Sequence, residues 1–138
     1  MIQRGESMLL EINTRSEIPI YQQLSEQIIM GIATGELAIG ESLPTVRQLA
    51  DELGVNTMTI SKSYNQLKEA GYLITDRRKG SIVTTPDAYE EIDKNDLKKR
   101  LAQLLAEAKI HQFKEAELTA FIDKTWSGFA EFKKDETS

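Results

Sequence analysis

From Asn56 to Asn65 the chain runs Asn-Thr-Met-Thr-Ile-Ser-Lys-Ser-Tyr-Asn, and a second polar cluster, Asp76-Arg77-Arg78-Lys79-Gly80, comes soon after. The first cluster offers amide, hydroxyl, thioether and ammonium groups, with no carboxylate until Glu69. Such groups match what base edges display in the major groove: donors, acceptors and thymine methyls. The second cluster sets three cations side by side. They repel one another unless a partner brings negative charge, and phosphate oxygens would do so. Covalent chemistry has little to work with. His111 is the one histidine and cysteine is absent, so neither a nucleophile–histidine pair nor a transition-metal site has a set of groups to use. No Gly-rich phosphate loop occurs. The neighbouring carboxylates Asp51/Glu52 and Glu90/Glu91 sit side by side on helices and do not converge. The residues read as a binding protein without cofactor or metal, not as an enzyme.

Local signals place the helices and strands that carry these groups. Thr45 is an N-cap, with Gln48 three residues on as a capping box requires. Leu49, Ala50 and Leu53 form one apolar face of a short helix, and Gly54 supplies a turn closed to residues with a Cβ. Asn56 caps a second helix, in which Ile60, Tyr64 and Leu67 recur at helical spacing until Gly71 ends it. Met58, Lys62 and Asn65 then point away from the apolar side, flanked by Thr57, Thr59, Ser61 and Gln66. After Gly71 the period changes. Residues 72–75 and 81–84 are β-prone, and the cationic turn between them makes a hairpin with a basic tip. A helix-turn-helix succeeded by such a hairpin is a winged arrangement, in which the wing reaches phosphates or the minor groove.

The chain has 138 residues and a net charge of −5, which is unexpected for a nucleic-acid binder. Its distribution decides the point. Over residues 55–86 the cations Lys62, Lys68, Arg77, Arg78 and Lys79 face only Glu69 and Asp76, a local charge of +3. Salt screens charges beyond about 8–10 Å, so a positive face on an acidic body can still meet phosphates. The absence of cysteine fits a reducing cytosol, and no apolar run reaches the roughly 18 residues of a membrane span. The expected location is cytoplasmic.

The rest of the chain frames this centre. Residues 1–16 read as an N-terminal arm, with Met8–Asn13 as a short strand carrying Leu10 and Ile12 on one side, and residues 1–7 as a leader. Pro19 opens a core helix with Ile20/Tyr21, Leu24, Ile28 and Ile32 as its stripe; Glu26 and the glutamines lie outside it. Residues 36–44 form a loop anchored by Leu37 and Ile39, with Gly40 as its turn. Thr85-Pro86-Asp87 closes the domain, and Asp87 is placed to cap the next helix. Residues 88–110 read as that helix, with Leu97, Leu101, Leu104, Leu105 and Ala108 on one stripe, ending near His111-Gln112. A second helix over 114–132 carries Leu118, Phe121, Ile122, Trp126 and Phe129, and residues 133–138 fray. Two amphipathic helices cannot bury such faces alone, so this segment is expected to dimerise. The fold class is mostly α with a small β hairpin: an arm over 1–16, a winged helix-turn-helix over 17–85 and a two-helix dimerisation segment over 86–138.

At Pro19-Ile20-Tyr21-Gln22-Gln23-Leu24, Gly35-Glu36-Leu37, Leu43-Pro44-Thr45-Val46-Arg47-Gln48-Leu49-Ala50, Gly54-Val55-Asn56-Thr57-Met58-Thr59-Ile60 and Leu67-Lys68-Glu69-Ala70-Gly71 the chain resembles the DNA-binding domain of GntR-family transcriptional regulators. The course from Leu97 to Trp126 resembles the YtrA-type branch, with its minimal dimerisation helices and frequent control of transporter genes. The resemblance implies a homodimer on a palindromic double-stranded operator, acting as a repressor. It implies DNA contact by Arg47, by Asn56, Thr57, Met58, Thr59 and Ser61, and by the wing glycine Gly80. Thr45, Lys62, Asn65, Arg77, Arg78 and Lys79 complete the expected interface. Many relatives carry arginine at the positions of Thr57 and Ser61, so the operator is expected to differ, and a wing glycine usually stands where this chain has Arg78. The break near residue 112 lacks a glycine and Lys114 is a poor N-cap, which leaves a longer continuous helix open. The aromatic residues of the last segment could line an effector pocket between dimer helices. The competing reading is a winged-helix module for protein–protein contact without DNA readout.

Overall fold

The computed structural model describes residues 2–5, 10–86 and 91–132. Met8 as strand, Asp87 as cap, the helix start at 88–90 and the fraying of 133–138 lie outside the described residues. The chain divides into two compact units, residues 1–86 and 87–138.

The first unit contains β1 (Ile2–Gly5), β2 (Leu10–Asn13), α1 (Ile20–Thr34), α2 (Val46–Leu53), α3 (Thr57–Glu69), β3 (Leu73–Asp76) and β4 (Gly80–Val83). Strand β2 lies within the segment expected as an N-terminal arm. It pairs antiparallel with β1, Ile2 opposite Asn13 and Gly5 opposite Leu10, and its Leu10 and Ile12 are buried in the core. That core also takes Leu24, Ile28 and Ile32 from α1, Leu49, Ala50 and Leu53 from α2, and Ile60, Tyr64 and Leu67 from α3. Leu37, Leu43, Leu73 and Val83 complete it. Each fully buried aliphatic side chain contributes about 1.5–3 kcal/mol.

Two glutamines of α1, outside its apolar stripe, bond to the backbone of β2. Gln23 is buried: its Oε1 accepts from the Asn13 N–H at 2.8 Å, and its Nε2 donates to the carbonyls of Ile18 at 2.8 Å and Asn13 at 3.0 Å. Gln27 does the same one turn on, accepting from the Glu11 N–H at 2.8 Å and donating to the Glu11 carbonyl. Both side-chain amides act as a substitute strand. They pair the backbone groups of Glu11 and Asn13 along the edge of β2 that faces away from β1.

The loop before α2 also differs from expectation. Leu37 is buried and approaches Gly31 so closely that a Cβ there would lie 3.0 Å from Leu37 Cδ1. Ile39 is not an anchor; it stands 52% exposed. The anchoring comes instead from Leu43 and from backbone pairing with β4. The Gly40 N–H donates to the Val83 carbonyl at 2.8 Å, Val83 to Glu41 at 2.9 Å and Leu43 to Ser81 at 2.8 Å. This loop thus lies along β4 as a third partner of the β3–β4 hairpin, whose register sets Leu73 opposite Val83 and Asp76 opposite Gly80.

The second unit consists of α4 (Glu91–Ile110) and α5 (Glu115–Ser127). The break between them is real despite the missing glycine. Gln112 takes a left-handed conformation at φ 66°, while the Phe113 N–H reaches the Ala108 carbonyl at 2.9 Å and the Gln112 N–H that of Lys109 at 3.1 Å. These two bonds are the pair that closes a Schellman motif. Lys114, which has no acceptor, caps nothing with its own side chain; the Glu117 carboxylate accepts from its backbone N–H at 3.0 Å. Helix α5 stops at Ser127 rather than at 132, since Gly128 has poor helix propensity. Phe129 then folds back, its ring edge-on to Trp126 at 6.1 Å between centroids.

Gln23→Ala removes the partners of three backbone groups while leaving the aliphatic core intact. It should cost about 1–3 kcal/mol, read as a lowered urea midpoint with an unchanged slope. An unaltered midpoint would show that the glutamine bonds add nothing to the unit.

Candidate nucleic-acid interface

The interface is built on α2 and α3. Thr45 Oγ1 accepts from the Gln48 N–H at 3.1 Å, and Gln48 Oε1 accepts from the Thr45 N–H at 2.9 Å, a reciprocal capping box at the start of α2. Gly54 ends α2 at φ 68°, with the Val55 N–H returning to the Ala50 carbonyl at 3.0 Å. Asn56 then caps α3, its Oδ1 accepting from the Met58 N–H at 2.7 Å. Neither cap exhausts its side chain. Each uses its oxygen as acceptor, so the Thr45 hydroxyl proton and the Asn56 NH2 group are still available to donate.

A buried phenol fixes the angle between the helices. Tyr64 donates its hydroxyl to the Pro44 carbonyl at 2.8 Å, joining the middle of α3 to the residue before the Thr45 cap. Burial, and then the charge of Glu52, push this hydroxyl far above the usual tyrosine range, so it remains a donor. On the other side of α3, Ser63 Oγ lies 2.7 Å from Ser25 Oγ, and Ser25 also donates to the Tyr21 carbonyl at 2.9 Å. Small residues there let α1 and α3 pack closely.

With its inner face so held, α3 presents Asn56, Thr57, Met58, Lys62, Asn65 and Gln66 at its outer edge, all exposed, Met58 to 76%. Thr59 and Ser61 are half-buried, so they lie at the margins of this edge rather than at its crest. Arg47 is exposed in the first turn of α2, and so is Thr45 before it. Lys62 does not hang free: its Nζ stands 3.9 Å from the centroid of the Tyr21 ring. Sequence periodicity assigns Tyr21 to the core stripe of α1, and no local signal reveals a contact with a residue so distant in the chain.

The hairpin tip carries Arg77, Arg78, Lys79 and Gly80, all exposed. Asp76 organises it. One of its carboxylate oxygens accepts from the Arg78 N–H at 2.8 Å and the Lys79 N–H at 2.9 Å. These bonds hold its carboxyl below the usual aspartate range, helped by the Lys79 charge. Gly80, at φ 80°, takes the left-handed position, and Arg78 does not. The tip therefore closes without the glycine that the family pattern has at position 78.

In the second unit, Leu97, Leu101, Leu104, Leu105, Phe121, Ile122 and Trp126 are exposed, and Leu118 and Phe129 are half-buried. A cavity of about 220 Å³ is lined by Leu105, Lys109, Phe113, Glu115 and Leu118. It falls below the 300–1,000 Å³ of ordinary ligand pockets. Among the described residues, no helix is long and apolar enough to cross a membrane, and no group of acidic or histidine side chains is placed to hold a metal ion.

Residues 20–83 match the family described as "Bacterial regulatory proteins, gntR family". The HTH-type transcriptional repressor YtrA of Bacillus subtilis is 31% identical over 102 residues, which cover 72% of this chain and 78% of that protein. Among solved structures, YtrA from Sulfolobus acidocaldarius, a GntR-family transcription factor, is 38% identical with a TM-score of 0.57, covering 69% of this chain and 95% of that one. A transcriptional antiterminator from Listeria monocytogenes is 27% identical with a TM-score of 0.72, covering 82% of this chain and 86% of that one.

The depressed Asp76 carboxyl gives the wing a pH dependence of known sign. The turn is stabilised at neutral pH and loses that contribution as the pH falls through the folded-state value. In an NMR titration the Arg78 and Lys79 amide resonances should shift together, with a midpoint below the 3.9 or so of an unperturbed aspartate. Asp76→Ala should abolish that shared transition. Independent titration of the two amides would contradict a common acceptor.

Proposed function

The chain belongs to the GntR family of bacterial regulatory proteins, a family of DNA-binding transcriptional regulators, and on that basis we propose that it is a homodimeric, cytoplasmic repressor of a palindromic operator. One observation carries the reading: the outer edge of α3, from Asn56 to Asn65, is open to solvent and uncharged to basic, in a unit that also bears a three-cation hairpin tip. The acidic remainder of the chain limits non-specific attraction to DNA. Transporter genes are the proposed targets, by resemblance to the YtrA-type branch, and the repressor name of the Bacillus subtilis relative supports the sign of regulation.

In this reading α3 enters the major groove. Met58 faces a thymine methyl, while Thr57, Asn65 and the free amide protons of Asn56 meet donors and acceptors on base edges. Thr59 and Ser61 add contacts from the margins. Thr45, Arg47, Arg77, Arg78 and Lys79 hold phosphates, and Gly80 lets the wing backbone approach the duplex. The open faces of α4 and α5, with Leu97, Leu101, Leu104, Leu105, Leu118, Phe121, Ile122, Trp126 and Phe129, meet the same faces of a second copy. A two-fold dimer sets two recognition helices on half-sites one helical turn apart.

Two measurements test this reading, using sites selected by the protein from random DNA. Lys79→Ala should weaken binding to cognate and random duplexes alike and lower the salt slope by about one, whereas Asn65→Ala should cost about 1–3 kcal/mol on the cognate site alone. Equal losses on both duplexes for Asn65→Ala would remove it from base readout. Leu101→Asp should give a folded monomer by light scattering with at least tenfold weaker operator binding. A variant that stays dimeric refutes the interface, and a folded dimer that shifts no DNA at low salt favours the protein-contact module.

A further inference from the structure

Lys62 is the cation on the outer edge of α3, and its ammonium rests on an aromatic face rather than on a carboxylate. The ring beneath it belongs to Tyr21, half-buried in the first turn of α1. Its position relative to α3 is set by the core. One turn further along α1, Ser25 bonds back to the Tyr21 carbonyl and touches Ser63, the neighbour of Lys62. Tyr21 is therefore locked to the same stretch of α3 that carries the lysine.

We propose that Tyr21 is a positioning residue for DNA binding, its ring holding the Lys62 ammonium at the outer edge of α3 so that the N–H donors meet an acceptor on the duplex. The inference rests on the DNA-binding reading above. A lysine stem has many rotamers, and fixing them at the moment of binding weakens affinity. The Tyr21 ring fixes them beforehand. A ring face attracts the cation without neutralising it and leaves its outward protons unused. A carboxylate in the same place would cancel the charge the duplex needs.

The test is a double-mutant cycle on a selected operator, with Tyr21→Phe, Tyr21→Leu, Tyr21→Met, Lys62→Gln and the Tyr21→Leu/Lys62→Gln pair. In the DNA-free wild-type protein the Lys62 ε-methylene protons should show an upfield ring-current shift by NMR, kept in Tyr21→Phe and lost in Tyr21→Leu and Tyr21→Met. Operator affinity should fall about two- to fivefold in the leucine and methionine variants, stay within about twofold in the phenylalanine variant, and fall no further when Tyr21→Leu is added to Lys62→Gln. A loss shared by cognate and random duplexes identifies the acceptor as a phosphate; one confined to the cognate site identifies a base edge. Absence of the ring-current shift in the wild-type protein, additive losses in the cycle, or tighter binding by the leucine variant would each overturn the proposal while leaving DNA binding intact. Failure of the wild-type dimer to bind any duplex at low salt would sink the DNA-binding reading itself, and the proposal with it.

Discussion

A phenol taken out of water must find an acceptor or forfeit the bond it had with solvent. Tyr64 finds the Pro44 carbonyl, and that single bond organises the first unit. It fastens the middle of α3 to the residue that delivers the chain into α2, so the two helices are joined at the Gly54 turn and again at this bond. The Thr45–Gln48 box begins at the next residue, and the outer edge of α3 is aimed by the same constraint. The phenol is protonated throughout the physiological range, as any tyrosine is, and burial carries that protonation further into alkaline pH.

Helix α1 serves three clients at once. Its apolar stripe fills the core, its glutamines satisfy β2, and its first turn lies under Lys62. The Ser25–Ser63 contact makes this economical, since two small hydroxylated residues let the backbones of α1 and α3 approach while each oxygen keeps a partner. The consequence for electrostatics is that the cationic edge of α3 sits on an uncharged, well-packed support. The net acidity of the whole chain is thereby compatible with a positive working surface.

What the sequence makes legible is local. Thr45, Gln48 and Asn56 declare themselves as caps by type and spacing, and the stripes of α1, α2 and α3 emerge from period alone. The tip at Asp76–Gly80 is equally readable, because an Asx turn needs only neighbours. Contacts between distant segments are not readable in this way. The pairing of β1 with β2, the glutamine side chains reading β2, the run of 40–43 along β4 and the Lys62–Tyr21 contact all join residues that no periodicity links. Ile39 misleads for the same reason: its apolar type suggests an anchor, but the backbone bonds to β4 turn Leu43 inward instead. Gln112 is a different kind of surprise, a non-glycine residue adopting the left-handed conformation because the bonds around it close the helix end.

The way β2 is held has a consequence for self-association. A strand paired on one side only, as β2 is with β1, presents a second edge, a template on which a strand from another molecule can grow a shared sheet. In β2 the amide and carbonyl of Glu11 and of Asn13 are already occupied by Gln27 and Gln23 from within the same chain. Side-chain amides cannot propagate a ladder as a backbone would, so they close the edge without extending it. On the β2 side, then, a strand from another molecule finds no free main-chain groups at Glu11 or Asn13 on which to extend the sheet.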